Sequence, residues 1–169
     1  MLEKNDLIEL AYLRLGKSIG TYGNNDDEDH YKATRALDEI IANVAVESEF
    51  RFNAVTTTLN KNSDSTGVLG DNRFNLPNDF LNVVRCEQDY RIEGEYVYST
   101  DSEVTMMYCR KIGISEFPLY MKKYLIASLC CELSVIFGQY MDKYGIFKRE
   151  IGTEKTRIIN MQGLVVKEW

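Results

Sequence analysis

The clearest group of side chains that could do chemistry surrounds His30, the only histidine of the chain. Four acids precede it directly: Asp26, Asp27, Glu28 and Asp29. Carboxylate and imidazole groups bind metal ions and act as general acids and bases. Consecutive residues do not converge easily on one ion, however, and acids are also typical of a helix start, where the helix dipole favours them. We therefore predict no catalytic residue and no metal site, and keep a small hydrolase or metal-dependent enzyme using His30 and its neighbouring acids as an alternative.

A second oxygen-rich segment, Asn62–Gly67, imitates the first half of a calcium-binding loop. Oxygen-bearing side chains alternate along it, and a glycine stands at the sixth position. The twelfth position should supply a bidentate glutamate and is Arg73, so an ordinary solvated loop is favoured. The sequence also lacks the glycine-rich phosphate-binding motifs, H-E-x-x-H and G-x-S-x-G. We predict that the protein is not an enzyme and needs no cofactor.

The four cysteines, Cys86, Cys109, Cys130 and Cys131, do not form a C-x-x-C pair. Adjacent residues on a helix point about 100° apart, so Cys130 and Cys131 do not face one another. We predict reduced and mostly buried thiols, and a cross-strand Cys86–Cys109 disulfide remains an alternative.

The chain has 169 residues and a formal net charge of −6, which is distributed unevenly. Residues 1–50 carry a balance of −6, residues 51–141 a balance of −2, and residues 142–169 a balance of +2. A nucleic-acid-binding face must be basic because it replaces counterions on phosphate. The acidic first half and the mildly basic end therefore argue against such a domain.

No membrane segment is expected. The N-terminal residues are acidic and lack the apolar run of a signal peptide. The stretch from Tyr124 to Met141 has the length of a short span, but it contains Glu132, Gly138 and Gln139. We predict a buried helix there.

The spacing of apolar residues predicts one domain with four helices and a β-section. The helices are expected at about residues 7–17, 30–48, 116–140 and 142–161, the β-section at about 54–110, and a tail at 162–169. Within the β-section, residues 61–72 are expected to form a polar loop. The predicted fold class is α+β, mainly α: a helical bundle with a small, mostly antiparallel β-sheet inserted between the second and third long helices.

The third helix is apolar on nearly all sides, and Glu132 is the only charge between Leu125 and Phe137. A helix that is apolar all round is buried all round, and in a small protein this indicates burial partly against a neighbouring subunit. Glu132 is a functional buried acid, pairs with an arginine, or faces a polar seam between subunits. The predicted subunit interface consists of Leu129, Glu132, Leu133 and Ile136.

The C-terminal tail is apolar, with Leu164, Val165, Val166 and Trp169 close together after a helix with a narrow apolar stripe that includes Ile158. A free tail would normally be polar. Together these five residues are predicted to dock into a partner protein. The alternative is that the tail folds back onto its own bundle.

The order of several short motifs extends over nearly the whole chain. A first helix ends in L-R-L-G at Gly16, a second helix is followed by Phe50 and Phe52, and a β-section opens on F-N-L-P-N-D at residues 74–79. The section continues through Y-R-I-E-G at 90–94 and V-T-M-M-Y at 104–108, and a long apolar helix follows. This order and spacing resemble the phage head-to-tail adaptor (connector) family, the tail tubular protein A type of short-tailed phages.

The resemblance implies a structural virion protein that is assembled in the host cytoplasm. Members of the family form a ring, usually of twelve copies, beneath the portal of the capsid; DNA passes through the lumen, and nozzle or fibre proteins attach below or around it. The resemblance makes the portal the expected partner of the tail. This chain departs from the family in having Phe50 and Phe52 where a tryptophan is common. Its C-terminal part is also short, so contacts made by longer relatives are expected to be absent.

A monomeric protein-binding module is the other alternative to the adaptor ring. The mass of the particle in solution, measured by light scattering, separates a ring from a monomer.

Overall fold

The structure is a computed structural model that describes residues 1–17, 28–66 and 71–165, without the side chains of 63–66 and 163–165. The described chain divides into two compact units. The helical unit comprises Met1–Val44 and Ile112–Trp169, and the β unit comprises Ala45–Lys111. The prediction of a single domain stays a prediction, because compactness alone does not test whether the units fold independently.

Four helices make up most of the helical unit. They are α1 (Lys4–Leu15), α2 (Glu28–Val46), α3 (Lys122–Phe137) and α4 (Met141–Val165), and α2 extends two residues into the β unit. Two short 3-10 helices, Ile114–Glu116 and Leu119–Met121, precede α3.

The first two helices bury the apolar faces that their spacing predicts. In α1 the buried residues are Leu7, Ile8, Ala11, Tyr12 and Leu15. Gly16 ends α1 with a left-handed φ of 76°, a conformation that glycine adopts without steric cost. In α2 the interior face consists of Ala33, Ala36, Leu37, Ile40, Val44 and Ala45.

Both ends of α3 are set by backbone-specific residues. The helix begins at Lys122 rather than near Glu116, because Phe117 precedes Pro118 and is held in an extended conformation. It ends at Phe137 because Gly138 has a φ of 66°, and its amide donates to the Ser134 carbonyl at 3.2 Å. Most of the helix is buried, as expected. Among the described helices, none is long and apolar enough to cross a bilayer.

The β unit contains seven strands in two antiparallel sheets. One sheet has three strands in the order β1 (Ala54–Thr58), β7 (Thr105–Arg110), β4 (Phe80–Cys86). The other has four strands in the order β2 (Lys61–Thr66), β3 (Asn72–Asn75), β6 (Tyr96–Ser99), β5 (Arg91–Glu93). The buried core of the unit is formed by Leu59, Phe74, Val97, Val104, Met106 and Tyr108.

The predicted fold class, a mainly α bundle with a small β-sheet inserted between the second and third long helices, is wrong. Two sheets follow the first two helices, and together they form a compact unit rather than a small insert. The error arises at residues 61–75, most of which were expected to be loop. Strand β2 pairs antiparallel with β3, and β3 pairs with β6, which creates the second sheet. Their sequences are too polar to show the alternation that predicts a strand.

Candidate interaction surface of the helical unit

The groups around His30 stabilise the start of α2. Glu28 pairs with Lys32 at 2.6 Å, four residues further along the helix, and the His30 carbonyl accepts a hydrogen bond from the Thr34 hydroxyl at 2.9 Å. Asp26 and Asp27 lie outside the described residues. In the part of the chain that the structure describes, no three His, Cys, Asp or Glu side chains come together as a metal site.

Lys17 and Asp29 together connect the ends of three helices. Lys17 forms an ion pair with the Asp29 carboxylate, and the Tyr12 hydroxyl donates to the Asp29 carbonyl at 2.8 Å. The ammonium of Lys17 also lies over the rings of Tyr12 and Phe137, at 4.8 and 4.2 Å from their centroids. These contacts fix the ends of α1, α2 and α3 relative to one another.

Arg14 connects α1 to α4. Its guanidinium makes two hydrogen bonds to the Glu150 carboxylate, at 2.6 and 3.0 Å, and lies 5.2 Å from the ring centroid of Phe147. The hydrogen bonding raises the pKa of Arg14 above its ordinary value. Lys143 adds a second link by donating to the Leu15 carbonyl at 2.5 Å. Glu150 is therefore engaged inside the unit.

A groove of about 540 Å³ runs between α2 and α3. Its α2 wall carries Glu28, Tyr31, Lys32, Arg35, Ala36, Glu39, Ile40 and Asn43, and its α3 wall carries Glu132 and Ile136. Because α2 is amphipathic and α3 is apolar, the groove has an apolar floor and a charged rim. We call this feature the α2/α3 groove.

Large apolar side chains are exposed in and beside the α2/α3 groove. Tyr31 is 61% exposed, Ile136 is 43% exposed, and Val135, next to Ile136 on α3, is 54% exposed. Single exposed apolar residues are normal on protein surfaces, whereas a cluster beside a concave surface is typical of an interaction site.

The charges on the rim of the groove are only partly paired. Glu28 and Lys32 neutralise one another, and the Arg35 guanidinium lies 6.0 Å from the ring centroid of Tyr31. Glu39 and Glu132 form no ion pair with any other residue that the structure describes. An excess of negative charge is therefore available at this rim.

The four residues of the predicted subunit interface divide into two pairs. Leu129 and Leu133 have no exposed surface and pack in the interior of the helical unit. Glu132 and Ile136 are exposed and line the α2/α3 groove. Of the alternatives for Glu132, a functional buried acid is excluded because the side chain is exposed.

The predicted docking residues of the C-terminal part are not brought together by the described structure. Ile158 is fully buried inside the helical unit. The backbone of Leu164 and Val165 continues α4, while their side chains and all of Val166 and Trp169 lie outside the described residues. The docking of this segment stays a prediction.

All four cysteines are free thiols. The alternative Cys86–Cys109 disulfide is excluded by the strand register, because Cys86 lies opposite Met106 while Cys109 lies opposite Asn82. Burial raises the pKa of Cys109 and Cys131 above their usual value and that of Cys130 to about 12. Such thiols are protonated and unreactive at neutral pH.

The calcium-like segment is a strand rather than a loop. Residues 62–66 belong to β2, and Gly67 lies outside the described residues. Arg73, at the position of the missing glutamate, is on β3, and its guanidinium lies 4.5 Å from the ring centroid of Tyr96.

Two of the motif segments behind the family resemblance meet in the β unit. The Tyr108 hydroxyl, at the end of V-T-M-M-Y, donates to the Asp79 carboxylate of F-N-L-P-N-D at 2.9 Å. Burial, followed by this hydrogen bond, raises the pKa of Tyr108. The glycine of Y-R-I-E-G, Gly94, has a φ of 60° in the turn between β5 and β6. These motif residues have structural roles in this unit.

Comparison with models of known protein families finds no match for this chain. Comparison with curated proteins finds none either.

The residues of the α2 wall of the groove were not identified from the sequence. A usable signal was present, because Tyr31 is a large aromatic residue that lies off the apolar face of α2. Val135 gave no such signal, since α3 is apolar on every side and only packing distinguishes its exposed residues.

Proposed function

We propose that this protein is a head-to-tail adaptor of a virion, which forms a ring under the portal and serves as a platform for tail nozzle or fibre proteins. The α2/α3 groove carries this proposal, because its exposed apolar residues Tyr31 and Ile136 give the helical unit a surface suited to another protein. The order of motifs along the chain supports the choice of the adaptor family.

The charge of the chain suits a ring through which DNA passes. A formal net charge of −6 repels phosphate, so the lumen does not retain the duplex. We expect no tight binding of duplex DNA at about 0.15 M salt, as measured by a gel-shift assay. A tight, salt-sensitive complex with the isolated protein would contradict this part of the proposal.

The proposal is tested by mixing the purified chain with portal rings of short-tailed phages and measuring particle mass by light scattering. We expect binding of about twelve copies to one portal ring, as the resemblance implies. A chain that stays monomeric and binds no portal ring would instead support a monomeric protein-binding module, for which the same groove is suitable.

Deletion of residues 164–169 tests the tail within the same assay. We expect the truncated chain to stay folded and to bind the portal more weakly, since an aromatic anchor contributes about 2 kcal/mol or more to an interface. A large drop in melting temperature, with unchanged binding by the folded fraction, would show that the tail belongs to the core.

A further inference from the structure

We propose that the α2/α3 groove receives the exposed face of α4 from a second copy of this chain. The inference rests on the proposed ring and names the two surfaces that meet in it. It assigns the acidic groove rim to one copy and a basic α4 face to the next.

The α4 face has the charge that complements the groove. Lys148 and Arg149 are exposed, and neither forms an ion pair with another described residue. The acids that follow on α4 are engaged internally, because Glu150 binds Arg14 and Glu154 binds Arg157 at 2.6 Å. This stretch of α4 therefore presents uncompensated positive charge.

The groove rim and the α4 face carry charges of opposite sign. The unpaired acids of the groove, Glu39 and Glu132, stand on its two walls, so a basic helix lying between them meets an acid on each side. Arg35 is the unpaired base of the groove and is held against Tyr31. The exposed Asp142 at the start of α4 offers a carboxylate of opposite sign to Arg35.

The α4 face also carries apolar surface. Met141, which lies about 20° around the helix from Lys148, is 52% exposed. Gly145 and Gly152 lie on the same helix, and a Cβ at either position would meet no atom within 4 Å. Each glycine costs about 1 kcal/mol of helix stability relative to alanine. A helix wall of a neighbouring copy that approaches the α4 backbone closely would offset this cost.

A copy does not fill its own groove with this face. Phe147 and Ile158 turn the buried side of α4 towards the interior of the helical unit. At about 100° per residue, Arg149 lies about 200° from Phe147 and therefore points away from that interior. None of the α4 residues whose side chains the structure describes lines the groove, so the α4 face that we place there comes from a second copy.

A contact between two different surfaces of identical chains is heterologous. Each copy presents a groove to one neighbour and an α4 face to the other, so copies add head to tail and close into a ring when the rotation between them permits. An isologous dimer would use the same surface on both copies and would stop at two.

Charge-reversal variants distinguish the heterologous contact from an isologous dimer. One variant carries Glu39→Lys and Glu132→Lys, and the other carries Lys148→Glu and Arg149→Glu. Each variant alone brings like charges together, so we expect its self-association constant to fall more than about tenfold from that of the unaltered chain. In an equimolar mixture the two variants can alternate along the assembly, so that every groove meets an α4 face of opposite charge. We therefore expect association to return in the mixture.

The experiment uses sedimentation velocity of the full chain over a range of concentrations. The matched controls, Glu103→Lys and Lys111→Glu, reverse exposed charges in the β unit and should leave association unchanged. Thermal melts confirm that each variant is folded. If the double variant of the groove melts early, the single variant Glu132→Lys replaces it, and if the double variant of α4 melts early, Arg149→Glu replaces it. Association of either variant alone at the level of the unaltered chain overturns the inference, as does a mixture that fails to associate.

Failure of this inference can be distinguished from failure of the adaptor proposal. Unaltered chains that stay monomeric at every concentration overturn this inference, and portal binding then decides the adaptor proposal by itself. If both charge-reversed variants still form rings and still bind the portal, the adaptor proposal stands and the α4 contact is rejected.

Discussion

The helical unit and the β unit are stabilised by different interactions. In the helical unit, apolar side chains such as Leu37, Leu129 and Leu133 are fully buried between helices. In the β unit, buried polar side chains bind the backbone: Asn53 donates to the Ala45 and Arg110 carbonyls at 2.7 and 2.8 Å. Both units have an apolar core, but their polar contacts differ: ion pairs such as Arg14–Glu150 connect the helices, whereas a buried amide binds backbone carbonyls in the β unit.

The units also differ in what they expose. Around its groove and along α4, the helical unit exposes Tyr31, Val135, Ile136 and Ile146. In the four-stranded sheet of the β unit, arginines lie over the tyrosine rings, Arg73 over Tyr96 and Arg91 over Tyr98, each at 4.5 Å from the ring centroid. Apolar surface available for association is therefore concentrated in the helical unit.

The largest expected effect is on the interior of the helical unit. Replacing Leu133 by alanine leaves a cavity among fully buried side chains, and we expect the free energy of unfolding to fall by about 2–5 kcal/mol. The matched control is Val135→Ala, two residues away and exposed, which should change stability by less than about 0.5 kcal/mol. Chemical denaturation followed by circular dichroism measures both. Equal effects would show that α3 is not packed as described.

Asn53→Ala tests the dependence of the β unit on hydrogen bonds. The change leaves the Ala45 and Arg110 carbonyls without their donor, so we expect a loss of about 2 kcal/mol. Asn60→Ala, at an exposed position, serves as the control. If both variants unfold at the same denaturant concentration, polar anchoring of this unit is unimportant and the comparison fails.

Alkaline pH should weaken the helical unit through Cys130. Burial raises its pKa from an ordinary 9.0 to about 12, so the unfolded chain releases the thiol proton at lower pH than the folded chain. The stabilising contribution is complete below pH 9 and is lost as pH rises to about 12, at about 1.4 kcal/mol for each unit of pKa difference.

Denaturation of Cys130→Ala and of the unaltered chain across that pH range measures this contribution. We expect the stability of the variant to decline less steeply. Cys86→Ala, which removes a half-buried thiol of the β unit, provides the comparison. Parallel curves for Cys130→Ala and the unaltered chain would rule out the proposed role of Cys130.

The smallest expected effect is that of Tyr108→Phe, which removes a single hydroxyl from the β unit. The loss of its hydrogen bond to Asp79 should cost about 1 kcal/mol. Tyr90→Phe is the control, since Tyr90 is 40% exposed. Thermal unfolding of the two variants gives the difference, and a melting point for Tyr108→Phe at or above that of Tyr90→Phe would refute the assignment.

The predictions from the sequence were more accurate for the helices than for the strands. The helical faces of α1 and α2 were predicted because apolar residues recur at helical spacing on one side. Strands β2 and β3 were missed because Lys61–Asn75 is polar, and pairing with neighbouring strands rather than local pattern makes these residues extended. Helix α3 starts later than predicted because Pro118 holds the preceding residue, Phe117, in an extended conformation.

The candidate site was predicted only in part, for a related reason. Glu132 and Ile136 were selected from the sequence, yet so were Leu129 and Leu133, because a helix that is apolar on every side does not indicate which side meets its own chain. Tyr31 and Arg35 were absent from the prediction because they belong to a distant segment. Only the packing of α2 beside α3 brings the two walls of the groove together.

The sequence by itself determined the apolar faces of α1 and α2, the net charge, the helix-ending glycine at residue 16 and the absence of the H-E-x-x-H and G-x-S-x-G motifs, since each of these depends on residue type and local spacing. The tertiary structure decided the second sheet, the interior position of Leu129 and Leu133, and the groove with its unpaired acids. The physical reason is that burial and strand pairing depend on residues distant in the chain, and free energy from such contacts overrides local preference.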